Sequence, residues 1–292
     1  MEKRETAFIV VGIGELLWDE LPDGRQIGGA PANFVYHSQV LGAHSYLVSA
    51  TGDDEAGREI LQALIRHELE TSYLSIDQDH ATGSVLILLG ADGVPEYSIA
   101  DHVAWDFVSQ TAEQDELAAR ADAVCFGTLA QRSSVSYHTI RAFLSKTRPN
   151  CLRIFDINLR QDYFNRHVIE ESLDLANILK LNEHELVVLA GLLGLNGGTE
   201  VLLDNLATSY SLRVVALTRG ERGCIIRTDE QTIEHEGFSQ EKIGDTVGAG
   251  DCFSAVLTMG VLNNEPLDSI AAKANRMAAH VCTQAGAMPE MP

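Results

Sequence analysis

Apolar positions recur along this chain in two alternating rhythms. Short β-branched runs, "AFIVVGIG", "HSYLVSATG", "ADAVCFG", "CLRIFDI", "NILKL" and "RVVALT", each reach glycine or polar residues at their ends and read as strands. Between them, segments such as "DEAGREILQALIRHEL" and "SSVSYHTIRAFLSKT" carry apolar residues at helical spacing. This alternation predicts an α/β fold with a mostly parallel central sheet covered by helices. The rhythm breaks at "TGSVLILLGADGVPEYSI", residues 82–99, where two extended runs flank "ADGV" and predict a β-hairpin projecting as a small lid. With no fixed-period repeat and no Pro/Gly/Ser linker, residues 1–292 read as one domain with lid elements within about 15–36 and 82–104.

Composition narrows the partners. The 292 residues are 45% hydrophobic, enough for a sizeable core, and 42 acidic against 21 basic residues give a formal charge of −21. Such a surface repels nucleic acid and anionic membrane. A small anion can still bind where backbone N–H groups, a metal or an arginine reverse the field locally. Neither a signal h-region nor a membrane span is expected, because the first apolar run is short and no later one reaches the length a span needs. The cysteines at 125, 151, 224, 252 and 282 form no CxxC pair, so the expectation is a reducing cytoplasm rather than a disulfide or zinc framework.

Candidate chemistry begins at "IGDTVGAGDCFSAV", residues 243–256. Gly248, Ala249 and Gly250 leave backbone amides unshielded just ahead of a run with helical apolar spacing, so they fall at a helix N-terminus, where orphan amides and the helix dipole attract phosphate. Asp251 then falls in the first helical turn. It fits two roles there: a charge that favours the dipole, or a base that accepts a proton from an attacking hydroxyl. The stretch "DTVGAGDCF" resembles the DTxGAGD signature of the ribokinase-like (PfkB) carbohydrate kinases. That resemblance implies a ribokinase-like fold, ATP with Mg²⁺, Asp251 as catalytic base and the amides of Gly248, Ala249 and Gly250 as the anion hole. It also implies a monovalent-cation site, with K⁺ the expected ion, at Asp245 and Thr246.

A second stretch, "GELLWDELPDGRQIGGAPANFVYHSQVLG", sets Asp19 shortly after the first strand and Gly28 and Gly29 ahead of a helical run containing Asn33. A carboxylate and an amide near two glycines suit sugar hydroxyls, and a solvated turn acid with a surface amide is the plainer alternative. This segment also resembles the family, most closely its fructokinase branch, which implies that Asp19, Gly28, Gly29 and Asn33 contact the sugar. "FDINLRQDYF" is similar to the DxNLR pattern of that branch and implies Arg160 at the reacting centre; as sequence alone, Arg160 could equally pair with Asp162. "LKLNEHEL" gives Asn182 and Glu185 the spacing of a helix capping box and also of the family's NxxE motif, which implies a water-mediated Mg²⁺ role for Glu185. Thr218, Gly220 and Gly223 in "TRGERG" are similar to the TxGxxG nucleotide segment, and Asn275 with Ala279 would lie against the adenine unless that helix is simply core.

Other routes to a nucleotide close. No GxxxxGK[ST] string occurs, "GIGELL" lacks the third glycine of a dinucleotide fingerprint, and no second histidine follows "HELVV". The lid segments carry almost no cation, which predicts a neutral sugar rather than a sugar phosphate, and the resemblance to the fructokinase branch implies fructose above all; Arg132 is the residue that could overturn the charge argument. Ribose, a sugar acid, a nucleoside or a sugar phosphate are the alternative acceptors, and a non-catalytic sugar sensor is the alternative function. Tyr97 and Ile99 alternate along the second lid strand and could form its apolar underside, and the exposed lid edges predict a homodimer.

Overall fold

The computed structural model describes residues 7–21, 24–89, 95–238 and 246–292. In chain order it forms β1 (Ile9–Ile13), β2 (Leu17–Leu21), β3 (Gly24–Gly28), α1 (Ala30–Val40), β4 (His44–Gly52), α2 (Glu55–Arg66), β5 (Leu74–Asp77), β6 (Gly83–Leu89) and β7 (Pro95–Ile99). There follow α3 (Ala112–Arg120), β8 (Ala123–Phe126), α4 (Ser134–Lys146), β9 (Leu152–Asp156), α5 (Arg166–Leu175), β10 (Ile178–Asn182), α6 (Glu183–Leu193) and α7 (Thr199–Ser209). The chain closes with β11 (Val214–Thr218), β12 (Cys224–Thr228), β13 (Thr232–His235), α8 (Ala249–Leu262) and α9 (Leu267–Val281).

Among the described residues, nine strands form one sheet in the order β13-β12-β11-β10-β9-β8-β1-β4-β5. Every neighbouring pair from β11 to β5 is parallel, and β12 and β13 extend the sheet antiparallel. The two-residue period of a strand divides the core. Val11, Phe126, Phe155, Leu179 and Leu217 pack with apolar residues of α3 to α7, while Val10, Cys125, Ile154, Ile178 and Ala216 pack with those of α1, α8 and α9. Strands buried on both faces read as unbroken apolar runs, which is why the six expected strands are all present. The same period places Asp156 and Lys180, each two residues beyond a core isoleucine, on the α8 face at the carboxyl ends of β9 and β10, where they are register partners.

The lid elements expected within 15–36 and 82–104 join in one sheet. The hairpin expected within 82–99 is β6–β7, and β2 and β3 pair antiparallel as a second one, whose β2 pairs parallel with β6 to make a sheet ordered β3-β2-β6-β7. Asp19 therefore lies in a lid strand rather than in a turn. Leu17, Val85 and Ile99 turn toward the cleft between lid and body; the side chain of Tyr97 lies outside those described. No helix among the described residues is long and apolar enough to cross a membrane, and the five cysteines are free.

Candidate active site

Two cavities meet at the first turn of α8. One, of about 490 Å³, runs beneath the lid between the carboxyl ends of β1, β9 and β10; the other, of about 210 Å³, lies between the β11–β12 turn and α9. They share Thr246 and Gly250. Gly248 caps α8 with φ +78°, a left-handed conformation that favours glycine, and a Cβ there would also stand 2.5 Å from that of Ala287. Ala249 and Gly250 open the helix, so their amides belong to the set that helix geometry leaves without intrahelical partners. A third cavity, of about 640 Å³, faces Trp18 on the opposite side of β2 and is lined by none of the expected site residues.

The lid cavity gathers the acceptor set. Asp19, Gly29, Asn33, Arg160 and Asp251 line it, and so do Glu185 and Asn182, the latter expected with the nucleotide. Gly29 takes φ +108° and its Cα lies against the Glu15 carbonyl, so a side chain there would collide with the backbone. Gly28 does not line the cavity; its missing Cβ leaves room for the Asp19 carboxylate across the hairpin. Asn33 Nδ2 donates to Asp251 Oδ2 at 2.8 Å, and its Oδ1 is buried without a hydrogen bond. Asn33 thus holds the expected base as well as facing the sugar space. Arg160 is exposed and its Nη1 donates to the carbonyl of Leu159 at 3.1 Å.

The second cavity gathers the nucleotide set. Thr218, Gly220, Gly223, Asn275, Ala278 and Ala279 line it together with Phe238 and Phe253. Asn275 Nδ2 donates to the Glu236 carbonyl at 3.2 Å, so α9 both packs on the core and fixes the chain beside the cavity. On the lid-cavity side, Asn182 and Glu185 form the capping box at the start of α6, with Glu185 Oε2 accepting from Asn182 N at 2.7 Å. Thr246 is exposed where the cavities meet, and Asp245, the other expected cation ligand, lies outside the described residues.

Charge is concentrated on the cavity floor. Asp251 remains partly open to the cleft, yet burial, then the neighbouring Asp156 carboxylate, push it up to about 6, against the pull of Lys180, the Asn33 hydrogen bond and Arg160. Lys180 Nζ pairs with Asp156 Oδ1 at 3.0 Å, and Ser254 Oγ donates to Asp156 Oδ2 at 2.7 Å. Burial alone would lower the Lys180 ammonium, but Asp156, Glu185 and Asp251 outweigh it and hold the group charged. Glu15, 2% exposed, is pushed up to about 7, first by burial and then, against hydrogen bonds from backbone amides, by the nearby Asp251. Its Oε2 has no hydrogen bond.

The model of the pfkB family of carbohydrate kinases matches residues 23–292. The chain belongs to this family. An uncharacterised sugar kinase of Pyrococcus horikoshii is 30% identical over 278 residues, covering 89% of this chain and 84% of the relative. A fructokinase of Salmonella typhimurium is 28% identical over 298 residues, covering 96% and 95%. The solved structure of the Pyrococcus protein in complex with ATP superposes with TM-score 0.80 at 29% identity, covering 96% of this chain and 94% of that one. A fructokinase from Vibrio cholerae in its fructose, ADP and calcium bound form gives TM-score 0.82 at 22% identity over 98% and 96%, which establishes the shared ribokinase-like fold.

Within this pfkB-family site, two buried charges went unread in the sequence. Lys180 sits inside the apolar run "NILKL", and a lysine at a strand position facing the core was the signal. Glu15 follows Gly14, the first residue after β1, and an acid two residues beyond a buried strand was its signal. Arg132 does not line the lid cavity. Its guanidinium forms a two-pronged pair with Asp106, 2.8 Å from each oxygen, and stands 3.3 Å from Asp101, so its charge is committed outside the acceptor cavity.

Proposed function

We propose that the protein transfers the γ-phosphoryl group of ATP to a primary hydroxyl of a neutral sugar, fructose favoured, with Asp251 as the general base. The observation that carries this reading is the meeting of the acceptor and nucleotide cavities at Gly250, one residue before a carboxylate held by Asn33. The sugar binds beneath the lid against Asp19, Gly29 and Asn33, and the nucleotide lies along Thr218, Gly220, Gly223 and Asn275. Asp251 takes the proton as the hydroxyl oxygen attacks phosphorus; the bond from phosphorus to the bridging oxygen breaks and ADP departs. The first-turn amides and Arg160 stabilise the transferring oxygens, and lid closure excludes water.

Mg²⁺ keeps several waters and binds mainly through substrate phosphates, so one carboxylate near the γ-phosphate suffices on the protein. Glu185 fits that need: it is 3% exposed, lines the cavity and is oriented by two backbone amides. When bound, the ion neutralises charge on the β- and γ-phosphates. A neutral acceptor follows from the charges present, since the cations lining the acceptor cavity are Arg160, assigned to the phosphoryl group, and Lys180, paired with Asp156. The lid sheet ends in the outer strands β3 and β7, and we read a homodimer that covers these edges in a reducing, cytoplasmic setting.

The test is ADP release from Mg·ATP with a panel of free sugars, sugar acids, nucleosides and sugar phosphates, run beside Asp251→Asn. Fructose-dependent turnover that falls by orders of magnitude in the variant supports the reading. Turnover with a sugar phosphate alone refutes the charge argument, and silence across the panel favours a sugar sensor.

A further inference from the structure

Arg160 is carried by a loop, residues 157–163, bent at two places into the left-handed region: Asn158 at φ +47° and Gln161 at φ +46°. Side-chain-bearing residues hold that conformation where their surroundings impose it. Part of the restraint is local. Thr128 Oγ1 donates to the Ile157 carbonyl at 2.8 Å, and Tyr163 N donates to the Arg160 carbonyl at 3.1 Å.

Two further ties leave the loop in opposite directions. Leu159 N donates to Glu185 Oε1 at 3.2 Å, which joins the loop to the start of α6. Tyr163 Oη donates to Asp101 Oδ1 at 2.9 Å, and Asp101 stands two residues beyond Ile99, the end of lid strand β7 and part of the acceptor-cavity lining.

Arg132 clamps the lid tie. Its guanidinium lies between the rings of Trp105 at 4.1 Å and Tyr163 at 4.6 Å, and its Nη2 donates to the Ala100 carbonyl at 2.5 Å. Its Nη1 is 3.3 Å from Asp101 Oδ1 yet makes no hydrogen bond, although it is buried. This contact is close enough to pair and misaligned, so a small shift of Asp101 with the end of β7 would complete it.

We propose that Asp101 and Tyr163, clamped by Arg132, are positioning residues that tie the acceptor lid to the Arg160 loop. Arg160 then takes its place at the phosphoryl group when the lid seats on a sugar, while Glu185 registers the nucleotide end of the same loop. The inference rests on the sugar-kinase reading and adds to it a physical link between acceptor binding and Arg160.

The experiment uses Tyr163→Phe, which removes the hydroxyl and keeps the ring beneath Arg132, together with Asp101→Asn, Arg160→Ala and the double variant Tyr163→Phe/Arg160→Ala. Turnover is measured with the best sugar of the panel, with sugar affinity in the absence of nucleotide and melting temperature alongside. The expected result is a loss of about tenfold in kcat for Tyr163→Phe, with sugar affinity and melting temperature close to wild type. Asp101→Asn, which keeps an acceptor oxygen, retains more activity than Tyr163→Phe. The double variant is no slower than Arg160→Ala alone, because Tyr163 acts through Arg160. Multiplying losses, an unchanged kcat in Tyr163→Phe, or a fully active Arg160→Ala would overturn the tie while leaving the kinase reading intact. A wild-type protein that turns over no sugar would overturn both.

Discussion

Replacing Glu15 by glutamine should stabilise the protein at alkaline pH and change little in acid. Glu15 is 2% exposed and its carboxyl is raised from 4.5 to about 7, chiefly by burial. A folded-state value above the unfolded one means that the native state holds an extra proton between the two, so stability falls as pH rises through that window. At about 1.4 kcal/mol per pH unit, the penalty reaches about 3 kcal/mol above pH 7. Glutamine matches the shape of the protonated acid, can keep accepting the backbone amides through its oxygen, and places its NH₂ where Oε2 makes no hydrogen bond. Urea unfolding of wild type and Glu15→Gln at pH 8 should therefore differ by about 3 kcal/mol in favour of the variant, or roughly 6 °C in melting temperature for a chain of this size. Near pH 4.5 the difference should shrink toward zero. Groups that titrate in both proteins cancel in the comparison, so a gap that stays constant from pH 5 to pH 8, or that favours the wild type, would refute the reasoning.

Three other outcomes follow from the same charges. Because the base acts when ionised and Asp251 is raised to about 6, kcat/KM should fall about tenfold per pH unit below pH 6; a profile flat to pH 5 would count against Asp251. Lys180→Met strands the buried Asp156 carboxylate and should cost about 3–5 kcal/mol in urea unfolding, much of it recovered in Lys180→Met/Asp156→Asn; a single variant within about 1 kcal/mol of wild type would contradict the pairing. Sedimentation should give twice the monomer mass, and a lysine placed at Ser98 in β7 should shift it toward the monomer.

The main sheet was legible because parallel strands covered on both faces are written as runs of apolar residues, and β1, β8, β9, β10 and β11 each carry such a run. The β2–β3 hairpin was not. Its residues face a cleft on one side and partial solvent on the other, so "LWDEL" and "GRQIG" alternate weakly, and the glycines that admit Asp19 and approach Glu15 resemble ligand contacts as much as strand residues. The turn signal "PDG" was present at 22–24. β13 was not read as a strand for a similar reason, since it is short and alternates exposed with half-buried residues.

The site divides along a different line. The placement of the motif residues could be read because it is local: Gly248, Ala249, Gly250 and Asp251 form one helix start, and Asn182 with Glu185 forms one capping box. Glu185 shows how a structural role leaves room for the proposed chemical one, since a carboxylate has enough lone pairs to accept Asn182 N and Leu159 N and still face the cleft. Pairings across the chain carry no such trace. Asn33 reaches Asp251 over 218 residues, Lys180 reaches Asp156 over 24, and Tyr163 reaches Asp101 over 62. Each requires the sheet order before the partners can be named. Those contacts set the charge around the Asp251 carboxylate and tie the loop that carries Arg160. The motifs therefore name the groups gathered where the two cavities meet, whereas the charges and positions of those groups are set by pairings across the chain.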